Sequence, residues 1–408
     1  MHRREEKILS VRPCDRAVTS ADWCDQLTRK PFISVTQTTQ VNIPQGLIDF
    51  GVGQPSLSLL PLNALKRAAD HRLSSASHEL LAYGADLGDG HFRNALSAFL
   101  TRRYRAAVNA NDLMITASAS QALDLICTRF TKPGDTIFVE EPTYFLALLI
   151  FRDHDLNVIG IPMDANGLRM DALQEALTRH HPTFLYTIPT FQNPTAITLA
   201  AERREQLVAL SVQHDFLIVA DEVYHMLDFG SAPPAPLATH SESGRVLSLG
   251  SFSKICAPGL RLGWVQASPA LLDTLTRAGV VESGGGLNPF TSGIMRSMIE
   301  LGLQDQCLDH LRDVYRERSA ALSLAIREHL PTCSFVEPRG GFFVWVKLPE
   351  GQTALAVHEA ALKNGVSFQP GTRFGNSAAL GQFLRLSFAY YEAPAMIDGV
   401  KRLATVLR

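Results

Sequence analysis

The sequence predicts an α/β protein, with a mainly parallel, seven-stranded sheet sandwiched by helices in a large domain and a smaller α+β domain following it. Three observations carry this expectation. Between about residues 110 and 270, short apolar runs alternate with helix-periodic segments, the pattern of repeated strand–helix units. The chain has 408 residues, more than one hydrophobic core ordinarily organises. Its composition, 46% apolar and 19% charged, is that of a globular protein able to bury a large core.

Residues 1–45 are polar and broken by Pro13, Pro31 and Pro44, which predicts an extended arm with one short helix. The large domain is expected over 46–300 and the small one over 301–408. Helical spacing marks Pro61–Leu73 and Gly90–Tyr104, with Asp89 as the cap of the second and Tyr83-Gly84 as a turn between them. The seven expected strands are Leu113–Thr116, Thr136–Glu140, Asn157–Ile161, Thr183–Ile188, Phe216–Ala220, Val246–Leu249 and Leu262–Gln266. After Gly284-Gly285-Gly286 a long helical region runs to Leu330, followed by strands Phe342–Lys347 and Phe383–Phe388 and a last helix. No internal repeat is visible.

A formal net charge of −2 with interspersed signs gives no basic stripe, which argues against nucleic acid and anionic membranes as partners and for a small ligand. The six cysteines form no C-x-x-C pair, so neither a disulfide framework nor a metal site is expected. They read as reduced thiols of a cytoplasmic protein. The N-terminus lacks an apolar signal core, and no apolar run reaches the length of a membrane span.

The chemistry concentrates around Ser248-Leu249-Gly250-Ser251-Phe252-Ser253-Lys254, which follows a strand, and Pro258-Gly259-Leu260-Arg261-Leu262-Gly263 close behind it. A lysine flanked by small hydroxyl residues supplies an amine for a Schiff base, and the arginine seven positions on supplies donors for a phosphate. Alone, the segment also fits an ordinary surface lysine in a serine-rich loop. In its context it resembles the cofactor-lysine motif of class I/II aminotransferases, the fold-type-I pyridoxal-phosphate family. The resemblance runs from roughly Asp49 to the C-terminus, and its specificity lies in several motifs falling in the family's order.

The resemblance implies pyridoxal 5′-phosphate held as a Schiff base on Lys254. Asp221, in Ala220-Asp221-Glu222-Val223-Tyr224, ends an apolar strand, where a carboxylate keeps the pyridine nitrogen protonated and the ring an electron sink. Tyr224 and Asn193 are implied to hydrogen-bond the ring's phenolic oxygen. Asn193 lies in Ile188-Pro189-Thr190-Phe191-Gln192-Asn193-Pro194-Thr195, which resembles the family's Asn-Pro-Thr-Gly loop with Ala196 where glycine is usual.

Thr116-Ala117-Ser118-Ala119-Ser120-Gln121 joins a strand to a helix, so its amides point toward an anion. It resembles the phosphate cup, with Ser118 where glycine is common. Ala119 and Ser120 by backbone, the Ser120, Ser251 and Ser253 hydroxyls, and Arg261 would neutralise the phosphate. Tyr144 matches the aromatic residue stacked on the ring. Tyr83 resembles the tyrosine that reaches the phosphate of a neighbouring subunit, which implies a homodimer with shared active sites, and Asn288 could likewise face the partner's site. Arg385, in Phe383-Leu384-Arg385-Leu386-Ser387-Phe388, matches the arginine that grips the substrate α-carboxylate, and Gly53 the backbone beside it.

The implied activity is ping-pong transfer of an amino group between an L-amino acid and a 2-oxo acid, with the freed Lys254 as general base and acid. A β- or γ-eliminating lyase, a cyclising synthase or an oxidase would use the same lysine, aspartate and arginine, so the motifs leave these open. An effector-sensing regulator on this fold would need a DNA-binding module, and the arm shows no helix-turn-helix pattern. For substrate choice, Val280-Val281-Glu282-Ser283-Gly284-Gly285-Gly286 holds no arginine to meet an acidic side chain. That absence favours aromatic or aliphatic substrates, with Phe191, Phe32 and Tyr144 as pocket candidates.

Overall fold

The computed structural model describes residues 38–75 and 77–407. The expected short helix of the arm, and Phe32, lie outside the described residues. The described residues from Ile43 onward form one compact unit.

Strand β1 (Ile48–Asp49) comes first, followed by β2 (Leu113–Thr116), β3 (Thr136–Glu141), β4 (Asn157–Asp164), β5 (Gly167–Leu168), β6 (Phe184–Thr187), β7 (Leu217–Asp221), β8 (Val246–Ser251) and β9 (Gly263–Ala267). The last eight make one sheet in the order β2-β9-β8-β7-β6-β3-β4-β5. Each pairing from β8 through β7, β6 and β3 to β4 is parallel, while β9 runs antiparallel between β2 and β8. All seven expected strands are present, six with both ends within two residues, while β4 runs three residues past the expected Ile161 to Asp164. The eighth, β5, is a two-residue return that pairs antiparallel with the end of β4, too short to leave a period in the sequence.

The central strands are buried along their length, as in Leu113–Thr116, Phe184–Thr187 and Val246–Ser251. Near-continuous apolar runs of this kind mark strands covered on both faces. One face packs Phe138, Leu185, Ile218 and Val246 against Leu173, Leu207 and Leu210 of the helices Met170–Leu177 and Ala201–Gln213. Elsewhere in the core Phe252 packs between Phe92 and Trp264, with ring centroids 6.2 and 5.2 Å away.

Asp89 caps Gly90–Tyr104, accepting from the Phe92 amide at 2.6 Å. The expected long helical region is two helices, Pro289–Glu300 and Leu303–His329, interrupted at Gly302. That glycine takes φ 68°, a left-handed turn that closes one helix and starts the next. Strands β10 (Ser334–Phe335), β11 (Phe343–Lys347), β12 (Val366–Ser367), β13 (Gln369–Pro370) and β14 (Phe383–Ser387) complete the fold. Of these, β10-β11-β14-β13 form an antiparallel sheet, and β12 pairs parallel with β1. The chain around Gly51 and Gly53 therefore lies beside the C-terminal strands, because Phe50 packs tightly on Gly399 of the helix Ala393–Ala404. Among the described residues, no helix is long and apolar enough to cross a membrane.

Candidate active site

Strands β2, β3, β6, β7 and β8 all run the same way, and the residues singled out from the sequence cluster at their carboxyl ends, where open α/β sheets bind ligands. At the end of β8, Ser251 Oγ accepts from the Ser253 amide at 3.1 Å and caps the one-turn helix Phe252–Ile255. That turn is anchored by buried Phe252 and presents Lys254 inward. Lys254 Nζ donates to Gly53 O at 2.8 Å and lies 5.9 and 5.4 Å from the ring centroids of Tyr224 and Phe342. Burial pushes its pKa down to about 8 against the pull of Asp221, with Arg385 and Arg261 adding to the depression.

Asp221 ends β7 between two strands. Its Oδ2 accepts from Tyr186 OH at 2.8 Å, while Oδ1 is buried without a partner among the described residues. Burial raises its pKa to about 6, opposed by the Tyr186 hydroxyl, the Val223 amide and the charge of Lys254. Such an orphaned carboxylate oxygen fits a ring nitrogen that brings a proton to it.

Arg385 sits at 3% exposure on β14. Nη1 donates to Asn193 Oδ1 at 2.7 Å, Nη2 to Gly51 O at 2.9 Å, and Nε has no partner among the described residues. Its guanidinium carbon lies 4.0 Å from the Phe343 ring centroid, and burial lowers its pKa to about 10. With Oδ1 of Asn193 engaged, its Nδ2 is left as a donor. Ala196 takes φ 61° in the same loop, so the alanine adopts the left-handed turn that glycine would take at lower cost. Gly53 is crowded: a Cβ there would stand 3.1 Å from Phe343 Cζ and 3.9 Å from Arg385 Nη2. Tyr224 is buried with its ring against Phe342 and Phe343. Half-buried Tyr144 precedes the helix Phe145–Asp153 within the electrostatic reach of Asp221 and Arg385.

The anion end is built on Ser118, which caps the helix Ala119–Phe130 by accepting from the Gln121 amide at 3.2 Å. The first-turn amides of Ala119 and Ser120 have no intrahelical carbonyl to meet. Gly263 lets β9 pass this turn, since a Cβ there would stand 3.0 Å from the Ser118 carbonyl carbon. Arg261, exposed and left-handed at φ 46°, bonds Pro258 O through Nη1 at 3.3 Å, and its own carbonyl accepts from Asn288. Tyr83 is not brought to the site within this chain: it is 89% exposed, although Gly84 beside it bridges to Gly286, two residues before Asn288. Phe191 is spent on packing, its ring close against Gly340 and Gly341.

A family model, aminotransferase class I and II, matches residues 45–403. The chain belongs to the class I and II aminotransferases. Aromatic-amino-acid aminotransferase 1 of Thermococcus litoralis is 34% identical over 370 residues, 89% of this chain and 88% of the relative. The multiple substrate aminotransferase of Thermococcus profundus is 34% identical, covers 89% of this chain and 91% of its own, and superposes with a TM-score of 0.83. An α-aminoadipate aminotransferase of Thermus thermophilus, solved with N-(5′-phosphopyridoxyl)-L-leucine, is 30% identical, with a TM-score of 0.80 over 90% of this chain and 95% of its own. The enzyme described here is thus a pyridoxal-phosphate-dependent aminotransferase on the fold-type-I scaffold.

The aminotransferase also holds functional residues that the sequence did not single out. Tyr186 is one, and beneath the Asn193 loop lie Glu140, Gln192, Arg204, Glu222 and His225, all buried. Glu140 accepts from Thr187 Oγ1 at 2.5 Å, the Ile188 amide at 3.1 Å and Gln192 Nε2 at 3.2 Å. Gln192 also donates to Pro142 O at 2.7 Å and accepts from the Thr195 amide at 2.9 Å, tying the Tyr144 segment to the Asn193 loop. Arg204 holds Pro189 O at 2.7 Å and Thr190 Oγ1 at 2.8 Å, with Glu222 at 3.7 Å. Burial and Arg204 push His225 down to about 3, so it is neutral at physiological pH. In the sequence each is a single polar residue in or near an apolar segment, which alone predicts nothing.

Proposed function

We propose that this aminotransferase exchanges an amino group between an L-amino acid and a 2-oxo acid by a ping-pong cycle centred on Lys254. The observation that carries this reading is the pair of unpartnered buried atoms, Asp221 Oδ1 and Arg385 Nε, in the same site as a half-buried lysine amine. When bound, pyridoxal 5′-phosphate supplies an aldehyde that condenses with amines and a ring that withdraws electrons from the substrate α-carbon.

The protein's own groups divide the remaining work. Lys254 would carry the cofactor covalently and, when displaced, take the proton from the substrate α-carbon and return one; its lowered pKa keeps a larger share of the amine basic near neutrality than an exposed lysine would have. Asp221 would hold the ring nitrogen protonated. Tyr224 and the free Nδ2 of Asn193 would donate to the phenolic oxygen, with Tyr144 against the ring face. Ser118, Ala119, Ser120, Ser251, Ser253 and Arg261 would hold the phosphate, with part of the charge offset by the start of the helix Ala119–Phe130. Arg385 and the backbone at Gly53 would fix the substrate α-carboxylate.

Exposed Tyr83 is expected to complete a second subunit's phosphate site in a homodimer; its exposure and its attachment to the Asn288 loop through Gly84 and Gly286 support this. The division into a large domain at 46–300 and a small one at 301–408 is kept as part of the proposal. Borohydride reduction of the cofactor-saturated enzyme, followed by peptide mapping, should find the adduct on Lys254 and none in Lys254→Ala. An amino donor alone should release keto acid in amounts stoichiometric with enzyme. An adduct elsewhere would refute the lysine assignment, and continuous product release from a donor alone would point to a lyase or oxidase.

A further inference from the structure

The arginine-free stretch 280–286 leaves an acidic substrate without an obvious partner, yet a different cation stands next to Arg385. Arg373 ends the short helical turn Gly371–Arg373, which directly follows β13. Gln369 on β13 is in register with Arg385 on β14, so the two side chains leave the same face of the sheet. Arg373 Nη1 donates to Gln369 Oε1. Its guanidinium carbon lies 4.5 Å from the Phe145 ring centroid, and that of Arg385 flanks the same ring at 5.9 Å. Sharing one ring keeps the two cations within about 10 Å of each other.

The loop carrying Arg373 is held in place from both sides. The Thr143 amide donates to Phe374 O at 2.8 Å, and Glu141 Oε1 accepts the Asn376 and Ser377 amides at 2.8 and 2.7 Å. Arg373 is half-buried, and among the described residues no carboxylate is hydrogen-bonded to it. Asp49, the anion that most influences it, is engaged by the Gly51 amide at 2.8 Å. Of the guanidinium's five N–H donors, a single one is used among the described residues. An arginine so placed carries most of its hydrogen-bonding capacity unspent, beside the residue that holds the α-carboxylate.

We propose that Arg373 binds the distal carboxylate of a dicarboxylic amino acid or 2-oxo acid, of the length class of glutamate or 2-aminoadipate, while Arg385 holds its α-carboxylate. The proposal rests on the assignment of Arg385 made above. Both cations lie against the Phe145 ring, which gives an aliphatic chain with a carboxylate at each end an apolar surface to follow from one to the other.

The test uses the holoenzyme and two non-reacting probes, glutarate and valerate, with Arg373→Gln and Arg373→Lys. Wild type should bind glutarate at least about 10-fold more tightly than valerate, the worth of one charge-assisted contact. Arg373→Gln should erase that preference while moving valerate by less than about 3-fold, and Arg373→Lys should restore part of it. The specificity constant for glutamate should fall with the glutarate affinity, while that for leucine stays. Equal weakening of both probes, or no glutarate preference in wild type, would overturn the proposal. Turnover of leucine in that case leaves the amino-transfer reading standing, whereas failure of wild type with every amino donor would sink that reading itself.

Discussion

Asp221 is costly to the empty protein, and the cost can be worked from its surroundings. Burial raises its pKa from 3.8 to about 6, so folding removes a proton-free carboxylate from water with one oxygen unpaired. A group whose pKa is higher in the folded state favours folding fully below its unfolded value and loses that contribution as pH rises through the folded value. At pH 8, therefore, burying Asp221 as a carboxylate costs the cofactor-free protein about 3 kcal/mol, and at pH 4.5, where folding protonates it, about 1 kcal/mol. Asp221→Asn removes this term. The new amide can still accept from Tyr186 but leaves its own buried NH2 without a partner, a pH-independent cost of about 1–3 kcal/mol.

The decisive quantity is thus a difference between two pH values, in which the amide cost cancels. Denaturant unfolding of cofactor-free wild type and Asp221→Asn should show the variant's relative stability about 2 kcal/mol better at pH 8 than at pH 4.5. The same variant should lose amino transfer, because a neutral amide cannot keep the ring nitrogen protonated. A relative stability that does not change between those pH values would refute the claim that Asp221 is held ionised at a cost in the empty site. Full activity of the variant would refute its role toward the ring.

Arg385→Lys should raise KM for amino donors by about 100-fold with a smaller effect on kcat, because an ammonium cannot replace the planar pair of bonds to Asn193 and Gly51; steady-state kinetics across several donors would check this, and an unchanged KM would contradict it. Tyr186→Phe removes the one hydroxyl bonded to Asp221 and should weaken pyridoxal phosphate binding by about 10-fold in titrations of the cofactor-free protein. Binding at wild-type strength would show that Asp221 needs no support from β6.

The strands were legible because burial on both faces turns them into apolar runs, so β2, β3 and β6 to β9 announce themselves. Lys254, Asp221, Asn193 and Arg385 were legible as ordered motifs, the first three at or just beyond a strand end and Arg385 within β14. Glu140, Gln192 and Arg204 were not, since their partners lie far along the chain, as in the 52-residue separation between Gln192 and Glu140. A polar residue facing another across a fold looks, in sequence, like any loop residue. The distinction has a physical basis. The groups proposed to meet cofactor and substrate keep an unused hydrogen-bonding atom among the described residues, such as Asp221 Oδ1 and Arg385 Nε, and the motifs collect such groups. The residues beneath spend much of theirs on the backbone: both ends of the Gln192 amide are bonded, and Arg204 donates to three carbonyls and a hydroxyl. A loop held that closely can keep Asn193 against Arg385 without help from a ligand, which is the rigidity an exposed catalytic loop otherwise lacks. By the same criterion Arg373, which no motif marked, groups with Asp221 and Arg385, because among the described residues most of its donors are unused.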